Sequence, residues 1–321
     1  MTTYNLTQHR PFRKGEEDAL EVPEIINFYR PDDPLMQKLC DACVQGQLDE
    51  FKRLIKEWKE MGPAAMPPPG PEQYPIGSLE PILYFAIRRH QAAIVSYLLD
   101  EGLKFGRLAQ IEASQSRCRP PMWQVFLDHG WDINHTDSPA DPPPLAFVLD
   151  DREFVEWYLA HGADPNAEAK YGWTPWLRAI VFAPLETIKI LHAAGGRMDL
   201  AVPFVGLGPE SRRRNCSESM ELLRYLLDNG ADINARLFAH NHYNRDAYFD
   251  PGSALNLALM NGDYEKAEEL LDRGARTDVA AGEYLGYATA LELATKYKVP
   301  PPHLLSKLEE IRRREIASGA P

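Results

Sequence analysis

Cysteine is scarce in this chain: four occur in 321 residues, at positions 40, 43, 118 and 216, with no regular spacing. So few thiols cannot staple a chain of this length, which excludes a disulfide-built scaffold and predicts free thiols. No run of about 18 apolar residues occurs, so no segment reads as a membrane span. The opening MTTYNLTQHRPFRKGEEDALEV lacks the apolar core that a secretory leader needs. Positive charge is also short, with 35 Lys and Arg against 47 Asp and Glu and a formal net charge of -12. Such a balance is unsuited to a nucleic-acid backbone or an anionic membrane, and neither is expected as a partner. The short basic clusters Arg212–Arg214 and Arg312–Arg314 adjoin acids and read as solvated helix faces. The expected location is intracellular, cytoplasmic or nuclear. Phosphate-binding glycine loops, HExxH and nucleophile elbows are all missing, which argues against an enzyme.

What the chain does have is a repeated phrase. FLDHGWDIN (126–134), YLAHGADPN (158–166), LLDNGADIN (226–234) and LLDRGARTD (270–278) follow one grammar: two apolar residues, a mostly polar pair and Gly, with a short residue and then Asp in most of them. The glycines at 130, 162, 195, 230 and 274 lie 32, 33, 35 and 44 residues apart. A period near 33 marks a repeat array in which each unit buries its apolar face against the next. In PLETIKILHAAG (184–195) the apolar positions recur at helical spacing, and Gly195 supplies a left-handed stop. In GWTPWLRAI (172–180) Thr174 is placed to cap a helix and Pro175 to occupy its first turn. His129 and His161 stand just before the turn glycine, where an imidazole can bond a helix-end carbonyl.

These phrases resemble the ankyrin-repeat family. TPWLRA (174–179), SALNLA (253–258) and TALELA (289–294) match the family's T-P-L-H-x-A, and NGDYEKAEELLDRGA (261–275) follows the rest of its unit. The resemblance implies an all-α repeat solenoid of about eight stacked helix-turn-helix units over residues 34–316. An N-terminal extension (1–33) would flank the first unit and a short tail (317–321) would follow the last. Weaker units begin near residues 39, 81 and 143. Residues 107–134 have a poor first helix broken at CRPP, and residues 205–234 have a good second helix behind VGLGPESRRRNC. Two insertions interrupt the array: a proline-stiffened stretch at 62–78 and a long excursion at 235–252, the latter accounting for the 44-residue step.

Ankyrin units are implied to place first helices and hairpin tips on a concave face, where partners bind. On that alignment Lys170, Tyr171 and Trp173 lie on the tip of the fifth unit, with Val181 and Phe182 late in its first helix. His242, Tyr243, Arg245, Tyr248 and Phe249 sit on the excursion. Exposed aromatics are the usual anchors of binding hot spots, so these residues are the expected contact set of a noncatalytic protein-interaction module. A second possibility is an enzyme or small-molecule binder whose aromatic-lined pocket is closed by the excursion, with His240 or His242 as acid–base group and Arg245 as anion clamp. His240 and His242, with Asp246 or Asp250, could chelate a metal, but no third fixed ligand is evident. Neither a metal nor a cofactor is expected. Cys40 and Cys43 form a lone CxxC that packs, and Asp150, Asp151, Glu153 and Glu156 form an acidic turn.

Overall fold

The computed structural model describes residues 34–61, 79–116, 118–136, 141–205, 216–237, 239–241 and 250–319. The expected extension at 1–33 and the insertion at 62–78 lie outside them. The described residues carry fourteen α-helices and no strand, and none of the helices is long and apolar enough to cross a membrane. The chain divides into two compact units, the first ending at Asp137 and the second beginning at Ser138.

The first unit holds three helix pairs: α1 (Pro34–Val44) with α2 (Leu48–Met61), α3 (Glu80–Arg88) with α4 (Ala92–Asp100), and α5 (Arg107–Gln115) with α6 (Pro120–Asp128). First helices pack on first helices and second on second. The spacing of apolar residues dictates this. On α2, Phe51, Leu54 and Ile55 are buried while the intervening Lys52 and Arg53 are exposed, one apolar stripe per helix. CRPP does not break α5. It forms the turn after it, with Pro120 and Pro121 opening α6, where a missing N–H costs nothing. Trp123 Nε1–H donates to Cys118 O at 2.8 Å and closes that turn. Between α3 and α5, Arg88 donates twice to Glu112, at 2.8 and 2.9 Å, and the carboxylate is 1% exposed.

In the second unit the pairs are α8 (Pro175–Phe182) with α9 (Leu185–Ala193), α11 (Ala254–Asn261) with α12 (Tyr264–Asp272), and α13 (Ala290–Tyr297) with α14 (Pro302–Ala317). Two further second helices, α7 (Arg152–Ala160) and α10 (Cys216–Asp228), have 3₁₀ turns ahead of them among the described residues, Pro144–Phe147 and Val202–Phe204. Those turns occupy first-helix places, packed on either side of α8. Prolines at 142–144 and 203 explain the shortening, since each removes a backbone donor from the ladder.

Local rules operate as the sequence implies. Thr174 Oγ1 accepts from Leu177 N–H at 3.0 Å, Ser253 caps α11, and Thr289 with Glu292 forms a reciprocal capping box. Asp151 caps α7 by accepting from Phe154 N–H, and Glu156 pairs with Arg152, so the acidic turn has structural work of its own. The turn glycines are left-handed, as at Gly162 (φ 90°) and Gly195 (φ 98°). In the Asp-x-Asn phrase, Asp164 accepts from Asn166 N–H, while the Asn166 side chain reaches the next turn, donating to Gly195 O and accepting from Arg197 N–H. Asn234 repeats this bridge to Arg276 N–H at 2.8 Å. The repeated phrase is thus a coupling device between neighbouring units. Within each compact unit the fold is a stack of helix-turn-helix pairs.

Cys43 and Cys118 are buried and Cys40 half-buried, all three as free thiols. Burial pushes the Cys40 thiol up to about 11 and those of Cys43 and Cys118 up to about 12, which leaves them unreactive.

Candidate interaction surface

Of the expected contact residues, Lys170, Tyr171 and Trp173 lie on the tip formed by residues 168–173. That tip is a tight turn: Ala169 N–H donates to Trp173 O at 2.9 Å and Gly172 N–H to Ala169 O at 2.8 Å. Gly172 has φ 83°, a conformation open to glycine at no steric cost. The turn pushes Lys170 and Tyr171 outward, with Tyr171 36% exposed. Trp173 is half-buried instead, meeting Phe204 edge to face at 5.6 Å between ring centres. Phe204 belongs to the 3₁₀ turn Val202–Phe204, and this contact draws Trp173 inward.

Val181 corrects the sequence expectation outright. It is 3% exposed, and every residue from Pro175 to Val181 is buried. Short 3₁₀ turns on both sides let neighbouring backbone close around α8, so its late positions do not reach solvent as they would between full-length helices. Phe182 remains half-buried, with the Arg178 guanidinium 4.9 Å from its ring centre and 5.0 Å from that of Phe147. Arg178 stands at the variable position of the T-P-L-H-x-A phrase and is only 8% exposed. Phe182 lies one helical turn on, but Phe147, the second ring over Arg178, comes from a turn remote in sequence, so nothing along the chain hinted at its burial.

The excursion at 235–252 is described only at its two ends. His242, Tyr243, Arg245, Tyr248 and Phe249 lie outside the described residues, as does Asp246. The near end is anchored to the tip two units back. His240 Nε2–H donates to Gly172 O at 3.1 Å, with Glu168 3.9 Å away. Asn241 Nδ2 donates to Lys170 O at 3.1 Å and to the Glu168 carboxylate, and Asn241 is 6% exposed. Leu237 N–H donates to Gly252 O, and Arg236 pairs with Asp250 across the stem. Asp250 O accepts from Gly282 N–H at 2.8 Å, and buried Asn256 donates to Pro251 O and Val279 O. Successive loops at 168–172, 236–252 and 279–282 are therefore tied into one hydrogen-bonded edge. The sequence flagged His240 as an acid–base candidate, but its side chain is 8% exposed and committed to Gly172. Asn241 was missed, since its partners are more than 70 residues away.

Electrostatics on this edge are mostly settled within each loop. Arg197 pairs with Asp199 at 2.7 Å, and that hydrogen bond holds the Asp199 carboxyl below its usual range. Arg276 and Asp278 repeat the arrangement at 2.6 Å, with the same effect on Asp278. Among the described residues no group of three or more His, Cys, Asp or Glu side chains is placed to hold a metal ion. An open cavity of about 500 Å³ is lined by Met220, Glu221, Arg224 and Glu265, on α10 and α12, and involves none of the residues above.

No protein-family model matches the chain. It is 31% identical over 121 residues to the mitochondrial disaggregase of Bos taurus, a stretch that is 38% of this chain and 16% of that protein. The Homo sapiens mitochondrial disaggregase is 28% identical over 141 residues, covering 38% of this chain and 20% of its own length. The chain thus matches a fifth or less of those curated relatives. Among solved structures, the ankyrin repeat domain of Bcl-3, described as a unique member of the IkappaB protein family, aligns with a TM-score of 0.39 at 20% identity. That alignment covers 85% of this chain and 97% of the Bcl-3 chain.

Proposed function

We propose that this protein is a noncatalytic interaction module that binds another protein on the first-helix and hairpin-tip side of its second unit, the side the ankyrin resemblance makes concave. The observation that carries this reading is the stapled loop edge. His240 and Asn241 hold the near end of the excursion against the 168–172 tip before any partner arrives, and a preordered contact loses less entropy on binding. Lys170 and Tyr171 supply the outermost contacts, Phe182 and Trp173 half-buried apolar area, and His242, Tyr243, Arg245, Tyr248 and Phe249 the contacts from the excursion. Val181, being buried, is not part of the contact set. A stable complex needs roughly 800 Å² from such a face.

Of the groups offered for the pocket reading, His240 is spent on a structural bond to Gly172 O, while His242 and Arg245 lie outside the described residues. Disaggregation belongs to relatives of which the matched stretch is a fifth or less, and it is not proposed here. The test compares proteins retained from cell extract by the wild-type chain and by a Lys170→Glu/Tyr171→Ser double variant of equal melting temperature. A partner retained by the first and lost by the second is the expected result. Identical retention on both would sink the assignment of this face.

A further inference from the structure

We propose that the connection inside the last helix pair, residues 298–302, is a polyproline II ligand presented to the aromatic-lined, acid-rimmed groove of a proline-reading partner domain. α13 ends at Tyr297 and α14 begins at Pro302, and KVPP runs between them. Val299, Pro300 and Pro301 each precede a proline, a position that disfavours helical backbone and pushes the chain into extended or polyproline II form. The backbone agrees: Lys298 has φ -144° and ψ 118°, and Pro301 has φ -52° and ψ 147°.

Joining two helices of a pair does not require such a run. The connections between α1 and α2 and between α11 and α12 each turn on one left-handed glycine, Gly46 (φ 65°) and Gly262 (φ 73°). Pro302 by itself stands at the first helical position of α14, where proline favours a helix start. The extended residues ahead of it are more than the joint needs.

They supply a fixed, outward edge. Pro300 is buried against the unit, while Val299 and Pro302 are exposed. Polyproline II has three residues per turn, which puts positions 299 and 302 on one edge. Val299 is 70% exposed, and Tyr297 just ahead of it 43%. Two ties hold the stretch in place: the Tyr264 hydroxyl donates to Val299 O at 3.1 Å, and Lys298 Nζ donates to Asn261 O at 2.7 Å. Three successive prolines offer no backbone donor, so the stretch cannot enter a helix or sheet ladder, and a chain already extended loses little entropy when bound. Domains that read such chains do so with grooves of aromatic side chains.

Charge sets the rim of the groove. Residues 293–305 carry Lys296, Lys298 and His303 and no Asp or Glu, although the whole chain has a net charge of -12. Carboxylates beside the aromatic groove complement this stretch, and a basic rim would be repelled by it.

No residue of the stretch belongs to the contact set proposed above, so the two assignments fail separately. The test titrates the full chain by calorimetry into isolated SH3, WW and EVH1 domains with acidic groove rims, for wild type, Val299→Asp, Pro302→Ser and, as a control on the other surface, Tyr171→Ser. The expected result is saturable binding to at least one of these domains, weakened about tenfold by Val299→Asp and by Pro302→Ser and unchanged in Tyr171→Ser. Val299 is exposed, so Val299→Asp should melt at the wild-type temperature, separating lost binding from lost folding. Undetectable binding to all of the domains would overturn the proposal. So would binding that either Val299→Asp or Pro302→Ser leaves unchanged, since the contact would then lie on another part of the chain.

Discussion

The first and second units bury the same kind of repeat with different materials. In the first, three complete helix pairs line up, and a bidentate Arg88–Glu112 pair sits between first helices with its carboxylate out of water. In the second, the described residues place 3₁₀ turns beside α8, and polar ties join the loops: Asn166 to Arg197, Asn241 to Lys170, Asn256 to Val279. Helix-on-helix burial is nondirectional and tolerates small shifts. Hydrogen bonds between loops are directional, so they fix the loops as well as the helices, and a unit built this way presents a more rigid edge.

The comparison breaks most readily at Glu112. Glu112→Ala strands the Arg88 guanidinium, which is 24% exposed, and should lower the stability of the first unit by about 3 kcal/mol in denaturant titration. An Arg88→Met/Glu112→Leu double variant should recover most of that loss. If the single substitution is silent, the charge pair is not what joins α3 to α5. In the second unit, Gly196→Ala should cost about 2 kcal/mol, because the new Cβ would lie 2.4 Å from Trp176 Cε3 and that indole is held by its own bond to Arg197 O. Asn241→Ala should cost about 1 kcal/mol globally. Its clearer signature is local: faster hydrogen exchange at the Gly172 and Leu237 amides, with the amides of α8 unchanged. Uniform exchange would mean that the loop edge is not a separate element.

The smallest effect is at His129, whose ring nitrogens face Val125 O at 2.6 Å and the Asp100 carboxylate at 3.1 Å. Two acceptors favour the doubly protonated ring, and the Val125 carbonyl is the leading cause of a value raised above the ordinary 6.5. A raised folded value means the stabilisation is complete below pH 6.5 and fades as pH climbs through the higher folded value. Melting temperatures at pH 6 and pH 8, compared with those of His129→Gln, should show a small excess of pH dependence in the wild type. A flat difference would remove His129 from the account.

Much of this was legible along the chain because it is local. The caps at Thr174, Ser253 and Thr289 act over three residues. His129 and His161 do bond the carbonyls four residues back, His161 reaching Trp157 O at 2.7 Å. Asn229 takes the same place and bonds Tyr225 O, a substitution of chemistry within a constant geometry. The candidate surface was less legible. Tyr171 emerges where expected, but Val181 is buried and Trp173 half-buried, because the turn at Val202–Phe204 changes what surrounds α8. Asn241 gave no signal at all, its partners Glu168 and Lys170 being 73 and 71 residues away.

Caps and turn glycines follow from the amino-acid sequence alone, since each depends on contacts within about one turn of chain, and the period and helix pairing follow from the recurrence of those signals along it. Which side chains reach solvent was decided only in three dimensions. Exposure depends on the neighbour in space, and here two neighbours of α8 are short turns where the repeat pattern leads one to expect helices. The left-handed Tyr287 belongs with them, because its backbone is held by Gly282 and by the buried Leu285 beneath the loop, and no local propensity would place a tyrosine there.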